Sequence, residues 1–298
     1  MPAHPSRRRF LGRGLQVVGA VAIARPGTLR AADAPAPAPG AMIEKAIAFL
    51  RTRQDDKGGW STAREPGITA LVLTALLRSK RVTPDDPAVA RGLAYLEGFL
   101  APDGAVSEAA HANYTTSIAL MAFREANANG RYDRAIKAGQ TFLKSKQWDE
   151  GEGKGRDDAF YGGAGYGGKN SRPDLSNTAF FMEALRETGL PADDPALQKA
   201  LVFVSRCQNL KSEFNDQAWA GKVNDGGFLY TAANGGSTFA EKDANGGLRS
   251  YASMTYAGLK SMIYAGLSPD DPRVKAASTY IATHYTLDEN PGLGEQGL

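Results

Sequence analysis

Several things are scarce in this chain, and each scarcity removes a class of function. Cys207 is the only cysteine among 298 residues, so no intramolecular disulfide can form. The histidines are His4, His111 and His284 alone, which leaves too few nitrogen and sulfur ligands for a zinc site of the common kinds. Strand patterns are rare, and Leu15 to Ala24, the apolar stretch near the start, is too short to span a bilayer. A basic surface for nucleic acid is lacking too. The formal charge is +3, but six arginines lie in the first 32 residues, which hold no acid. The remainder carries 29 basic against 32 acidic side chains, and this excludes an electrostatic nucleic-acid footprint.

What is present begins with an export pattern. Ser6-Arg7-Arg8-Arg9-Phe10-Leu11 resembles a twin-arginine signal, followed by the short apolar segment and by small residues at Ala31, Ala32 and Ala34 that offer cleavage positions. Residues 1–33 are therefore read as a signal peptide that carries a folded protein out of a bacterial cytoplasm to the periplasm or beyond. Residues 34–41 read as an alternating Ala/Pro linker, and 42–298 as one repeat domain without a transmembrane anchor.

The repeat shows in two registers. Phe49, Tyr95, Phe142, Phe203 and Tyr280 share one context, and nine residues before the last four stand Asp86, Asp133, Asp194 and Asp271. Pro87, Pro195 and Pro272 follow three of these, and Asp-Pro is a helix start: the carboxylate caps backbone N–H groups and proline needs no donor there. A second helix follows in four units, beginning at Thr69, Thr116, Thr178 and Thr255 with blocks that are apolar on most of their circumference. Gly189 and Gly266 stand where left-handed C-caps would end two of them. Each unit is a helical hairpin that must stack on its neighbours to bury its faces, so the class is all-α. Unit five has a first helix and a glycine turn but no second helix, which implies a truncated chain or a completing partner.

The link between the two helices is uneven. From aromatic to threonine it runs 20 residues in unit one and 21 in unit two, then 36 in unit three and 52 in unit four. Insertions on one side of a repeat array gather at one end and often build the site. The first, Trp148 to Pro173, holds Asp157, Asp158, Tyr161, Tyr166 and the glycines 162, 163, 165, 167 and 168. The second, Gln208 to Arg249, holds Asp216, Trp219, Asp225, Phe228, Tyr230 and Arg249, with Tyr251 just beyond. Asp157 and Asp158 are the candidate general acids. Tyr161, Tyr166, Trp219, Asp225, Phe228, Arg249 and Tyr251 are the candidate ligand contacts, since aromatics with a few acids in a concave mouth suit an apolar or carbocation-like ligand. The other reading of these loops is glycine-rich turns with ordinary Asp hydrogen bonds. Asp174 or Ser176 is read as the cap of the helix that follows, and Cys207 as a small core residue.

Unit one reads Phe49-Leu50, three residues, Gln54, three residues, Gly58-Gly59-Trp60. This resembles the QW repeat of squalene-hopene cyclases and related terpenoid cyclases, a superfamily shared with protein prenyltransferase β-subunits. Arg91-Gly92 with Tyr95-Leu96 matches the front half of the repeat, with Leu100 in place of its glutamine. Phe142-Leu143 with Gln147, and Phe203 with Gln208, match again. The resemblance implies an α/α toroid, a double ring of helical hairpins, in which the Gln-Trp pair is structural. It implies no cofactor here. The Asp-x-Asp-Asp acid motif of the cyclases is absent, and Ser205 and Cys207 do not reproduce the Asp and Cys of the prenyltransferase zinc site. Gly292-Leu293-Gly294-Glu295-Gln296 resembles the thioester motif of complement-like toroids, but Leu293 replaces its cysteine, so no thioester can form. Two functions stay open: an exported enzyme on an isoprenoid-like apolar substrate, of isomerase, lyase or transferase type, or a non-catalytic binder of a lipid, glycan or protein.

Overall fold

A computed structural model of the chain describes residues 38–60, 66–106, 111–167 and 171–297. The signal-peptide reading and residues 34–37 of the linker lie outside them. The chain divides into Met1–Met42 and Ile43–Leu298. Of the first unit only residues 38–42 are described, and they begin a helix.

Among the described residues the second unit is all-α, with isolated bridges and no extended strand. The helices are α1 (Pro39–Arg51), α2 (Pro66–Arg78), α3 (Pro87–Glu97), α4 (Ala112–Glu125), α5 (Asp133–Lys144), α6 (Leu175–Glu187), α7 (Pro195–Arg206), α8 (Ala252–Tyr264) and α9 (Pro272–Thr283). None of them is long and apolar enough to cross a membrane. The even-numbered helices form an inner row in which α2 packs on α4, α4 on α6 and α6 on α8; α3, α5, α7 and α9 form an outer layer behind them. This is the two-layered stack of helical hairpins that the repeat implies. The inner helices carry the threonine blocks. In α4 every residue from Thr115 to Phe123 is buried, because neighbours cover it on both flanks as well as behind.

One joint holds each hairpin, built four times from the same parts. Its first glycine, Gly58, Gly104, Gly162 or Gly226, has φ between +78° and +94° and lies against the carbonyl of Arg91, Ala138, Lys199 or Ala276 on the next outer helix. A Cβ at Gly162 would stand 1.8 Å from that carbonyl oxygen, so only glycine fits. The joint's last backbone N–H, from Trp60, Val106, Ala164 or Phe228, donates to the hydroxyl of Thr69, Thr116, Thr178 or Thr255 at 2.9–3.1 Å. The glutamine amide clamps two units. Gln54 donates to Gly58 and Ala88 carbonyls (3.0 and 2.8 Å), Gln147 to Gly162 and Ala196 (2.9 and 2.8 Å), and Gln208 to Gly226 and Arg273 (both 2.9 Å). Leu100 has no amide to offer, so the joint of unit two lacks this clamp.

Two expectations from the repeat change in detail. Asp86, Asp194 and Asp271 cap their helices, accepting from the N–H of Ala88, Ala196 and Arg273 at 2.9–3.0 Å. Asp133 does not cap; it lies inside the first turn of α5, with Tyr132 at the N-cap, and accepts from Asn127 Nδ2 at 2.7 Å. It lacks the following proline that sets the others. The repeated aromatic is also uneven. Tyr95, Phe203 and Tyr280 are covered by the second joint residue of the preceding unit, Gly59, Gly163 and Gly227. Among the described residues no joint precedes Phe49, and its ring is 55% exposed beneath the Arg53 guanidinium.

The segment resembling a thioester motif is a turn that runs into a 3-10 helix, Gly294–Gly297. Gly292 lies against Ser250 and Tyr251, and Asn290 Oδ1 accepts the N–H of Ser253 at 3.0 Å, capping α8 from outside.

Candidate functional site

The two insertions meet above the N-terminus of α6. The N–H of Leu175 donates to the Tyr230 carbonyl (2.8 Å), Thr231 Oγ1 donates to the Pro173 carbonyl (2.7 Å), and Asp174 N–H donates to the Ala164 carbonyl (3.2 Å). Where they meet, aromatic rings form a connected wall. His111 and Tyr114, at the start of α4, lie 5.2 and 5.6 Å from the Tyr166 ring, and Tyr114 lies 5.2 Å from Phe180 of α6. The Tyr166 and Tyr230 hydroxyls are 3.4 Å apart; Phe239 stands 4.7 Å from Tyr230 and 6.4 Å from Tyr251. Phe239 is 61% exposed and Tyr166 38%, so the wall is open to solvent. The Arg172 guanidinium lies 5.8 Å from the Tyr230 ring and Lys260 Nζ 5.6 Å from Phe180, cations on two of its faces.

Beneath the wall lies Asp174. It is the N-cap of α6, 1% exposed, and accepts from the backbone N–H and the Nδ2 of Asn177, both at 2.8 Å. Asn113 of α4 donates Nδ2 to Asn177 Oδ1 at 3.2 Å, and its own Oδ1 is buried without a protein partner. Burial raises the Asp174 carboxyl above the ordinary carboxylate range, although Asn177, Tyr230 and Arg172 favour the charged form. The surrounding phenols are raised as well, Tyr114 to about 12, chiefly by burial.

The residues singled out by the sequence fall into three places. Tyr166 and Tyr251 belong to the wall. Asp157, Asp158 and Tyr161 stand on the outer side of the first insertion. Asp157 is exposed. Asp158 accepts from the Phe160 N–H (2.8 Å) and from Lys154 Nζ (2.9 Å). Partial burial pushes its carboxyl up, but those partners and Arg206 outweigh this and hold it below the ordinary range. Tyr161 is buried and donates to Glu150 at 3.1 Å. Trp219, Asp225, Phe228 and Arg249 form the frame of the second insertion. Trp219 is 6% exposed with no acceptor for its Nε1–H; Asp225 accepts from the Gly227 N–H and Ser250 Oγ (2.9 and 2.7 Å). The Phe228 ring is fully buried against Gly258, and Arg249 is exposed. Cys207 lies in the core, its thiol pushed up by burial.

The sequence reading did not single out Tyr114, Phe180 or Phe239 and took Asp174 as a cap only. A signal for Asp174 existed: it is an acid at the cap of an inner helix that directly follows a glycine-rich insertion. Among the described residues no three His, Cys, Asp or Glu side chains are grouped to hold a metal ion.

No family model matches the chain, and no curated protein matches it. Among solved structures it is similar to a variant of the type II terpene cyclase MstE from Scytonema in complex with merosterolic acid A, the product. The identity is 15%, the TM-score 0.46, and the alignment covers 83% of this chain. The chain spans 64% of the length of that cyclase. At this level the likeness says nothing of chemistry.

Proposed function

We propose that the aromatic wall above α6 binds an apolar, isoprenoid-like small molecule in a protein exported by its twin-arginine-type N-terminus. The observation that supports this most is the exposure of Phe239 and Tyr166 at the head of a continuous run of rings, where a soluble surface would carry polar side chains. Ring faces give an apolar or cationic ligand both contact area and cation–π attraction. The binding reading needs no chemistry from the wall.

A second reading follows from Asp174. If the ligand is turned over, this carboxyl is the proton source. It is the one carboxyl at this mouth whose surroundings favour the protonated form. Farnesol binding, followed by native mass spectrometry of the purified protein, tests the first reading. Tyr166→Ala with Phe239→Ala is expected to weaken it by about tenfold, the loss of two ring contacts. Unchanged affinity in that double variant removes the wall as the site. Asp174→Asn, which keeps a capping side chain, is expected to leave farnesol binding intact and to abolish any conversion of the ligand.

A further inference from the structure

The row of inner helices has two ends, and they are finished differently. Each of α4, α6 and α8 is covered on one flank by the inner helix before it. That flank holds the residues one before, two after and six after the repeated threonine. In α4 they are Thr115, Ile118 and Ala122, all buried, with Thr115 facing Gly67 of α2. In α6 Asn177 stands there, fully buried and bonded to Asn113 of α4. In α2 the same positions are Ile68, Leu71 and Ala75, and no inner helix precedes α2 among the described residues. Ile68 is 52% exposed and Leu71 45%, and Ala75 is exposed with them.

The outer helix beside them is bare for the same reason. Gly92 of α3 and Gly139 of α5 pack against Leu73 and Leu120 of the inner helix before each. The matching residue of α1 is Ala46, which is exposed, as are Ile43 and Phe49 one turn to either side. Val89, Ile136, Leu197 and Val274, the counterparts of Ile43, are all buried. Ile47 is the only residue of α1 that is buried. So α1 and α2 form the two walls of an apolar trough. In units two to four the corresponding trough holds an inner helix, α2, α4 or α6.

The far end of the row does not supply the missing helix. One residue after the threonine, Ala70, Ser117 and Ala179 are small and buried, which lets the next inner helix approach. No inner helix follows α8 among the described residues, and Tyr256 stands at this position, 47% exposed. A ring there is too large for the same approach. The α2 helix itself fits better. Ile68, Leu71, Ala75 and Arg78 follow the alternating three- and four-residue spacing of a helix-pairing seam. Turned antiparallel about a two-fold axis near Leu71, the stripe sets Ile68 of one copy against Ala75 of the other, large against small. The two Leu71 side chains then meet at the axis. Arg78, at the end of the stripe, is drawn off to Glu125 at 3.0 Å. The charged neighbours are of both signs: Glu44 pairs with Arg81 at 3.6 Å, and Lys45 and Arg53 are exposed. The end therefore carries no single-sign field against a copy of itself.

We infer that the α1/α2 end is the interface of a homodimer, in which the α2 helix of each copy fills the trough of the other. Each copy gives its partner the inner helix that the row lacks, and the apolar stripe leaves water.

The test is sedimentation of the full chain across a range of concentrations. A dimer is expected, with no larger species, because a two-fold contact closes on itself. Leu71→Arg sets like charges face to face and is expected to raise the dissociation constant more than about a hundredfold. Leu71 is exposed in the single chain, so the variant monomer still folds, which circular dichroism checks. Leu71→Cys is expected to give a covalent dimer on mild oxidation, since the natural Cys207 is buried. Tyr256→Arg is expected to change nothing. The inference is overturned by a monomer, by a mass that keeps rising with concentration, as contact between unlike ends would give, or by Leu71→Arg pairing as tightly as the unaltered chain. It is also overturned if the Leu71→Cys thiol neither cross-links nor reacts with a thiol reagent in a monomer, which would assign the trough to a segment of the same chain.

Discussion

Unit one and unit three close their hairpins with the same joint, although the link from aromatic to threonine runs 20 residues in one and 36 in the other. In unit one the turn runs from Gln54 directly through Gly58 to Trp60. In unit three the chain leaves Gln147, forms a capped turn at Glu150–Glu152, and returns to Gly162 and Ala164. The closing bonds are nevertheless alike: glutamine amide on a glycine carbonyl at 3.0 and 2.9 Å, and a terminal N–H on threonine at 2.9 and 3.0 Å. The extra residues of unit three divide between a loop before the joint and a loop after it. Insertion is tolerated because loop-closure entropy rises slowly with length, while the joint keeps the helix ends where packing needs them. The clamp belongs to the fold; the inserted loops are free to build sites.

The sharpest way to break that comparison is to place a side chain in the joint and another in its insertion. Gly162→Ala sets a Cβ against the Lys199 carbonyl at positive φ and is expected to cost more than about 3 kcal/mol, or to prevent folding. Gly153, also at positive φ (+70°), has nothing within 4 Å of a Cβ, so Gly153→Ala is expected to cost about 1 kcal/mol. Denaturant unfolding of both proteins measures the difference; equal losses would mean the joint is no stiffer than its insertion. Next in size is the clamp itself. Gln208→Leu removes one amide from two buried carbonyls and is expected to cost about 1–3 kcal/mol by the same measurement.

The smallest effect compares two carboxyls, Asp158 within the first insertion and Asp174 at the helix cap that ends it. Asp174 has its folded pKa raised, so the folded state holds the proton more tightly than the unfolded chain does. Its charged form therefore costs stability as pH rises from the ordinary carboxylate range through the raised value. Asp158 has its folded pKa lowered; it adds stability above the ordinary range, lost as pH falls through its folded value. Asp174→Asn is expected to flatten the decline toward neutral pH, and Asp158→Asn to flatten the decline toward acid. The second change is under about 1 kcal/mol, because the pair with Lys154 is about one-third exposed and screened. Thermal melts across pH 3 to 7 check the signs, and the same sign for both variants would contradict the assigned environments.

Much of the fold was legible because its rules are short in range. Asp86-Pro87, the glycines of each joint and the threonine blocks act within one turn of the chain, so their spacing announced helix starts, turns and buried helices. The uneven joints also pointed to the insertions that carry the proposed ligand site. The placement of the site residues was less legible. On the sequence Asp157 and Asp158 were the candidate acids and Asp174 only a capping candidate, although all three are acids in or beside one glycine-rich loop. Phe228 and Tyr166 were both aromatics of an insertion, yet one is fully buried and the other open to solvent.

By itself, then, the sequence determined the repeating hairpin, its caps and the positions where it was lengthened. Only the tertiary structure decided which unit each glutamine clamps, through bonds to residues 34, 49 and 65 positions away. It also decided which carboxyl loses its water and which rings meet Tyr166. Desolvation and ring contact depend on what the rest of the molecule brings near a side chain, and no local pattern around Asp174 encodes that.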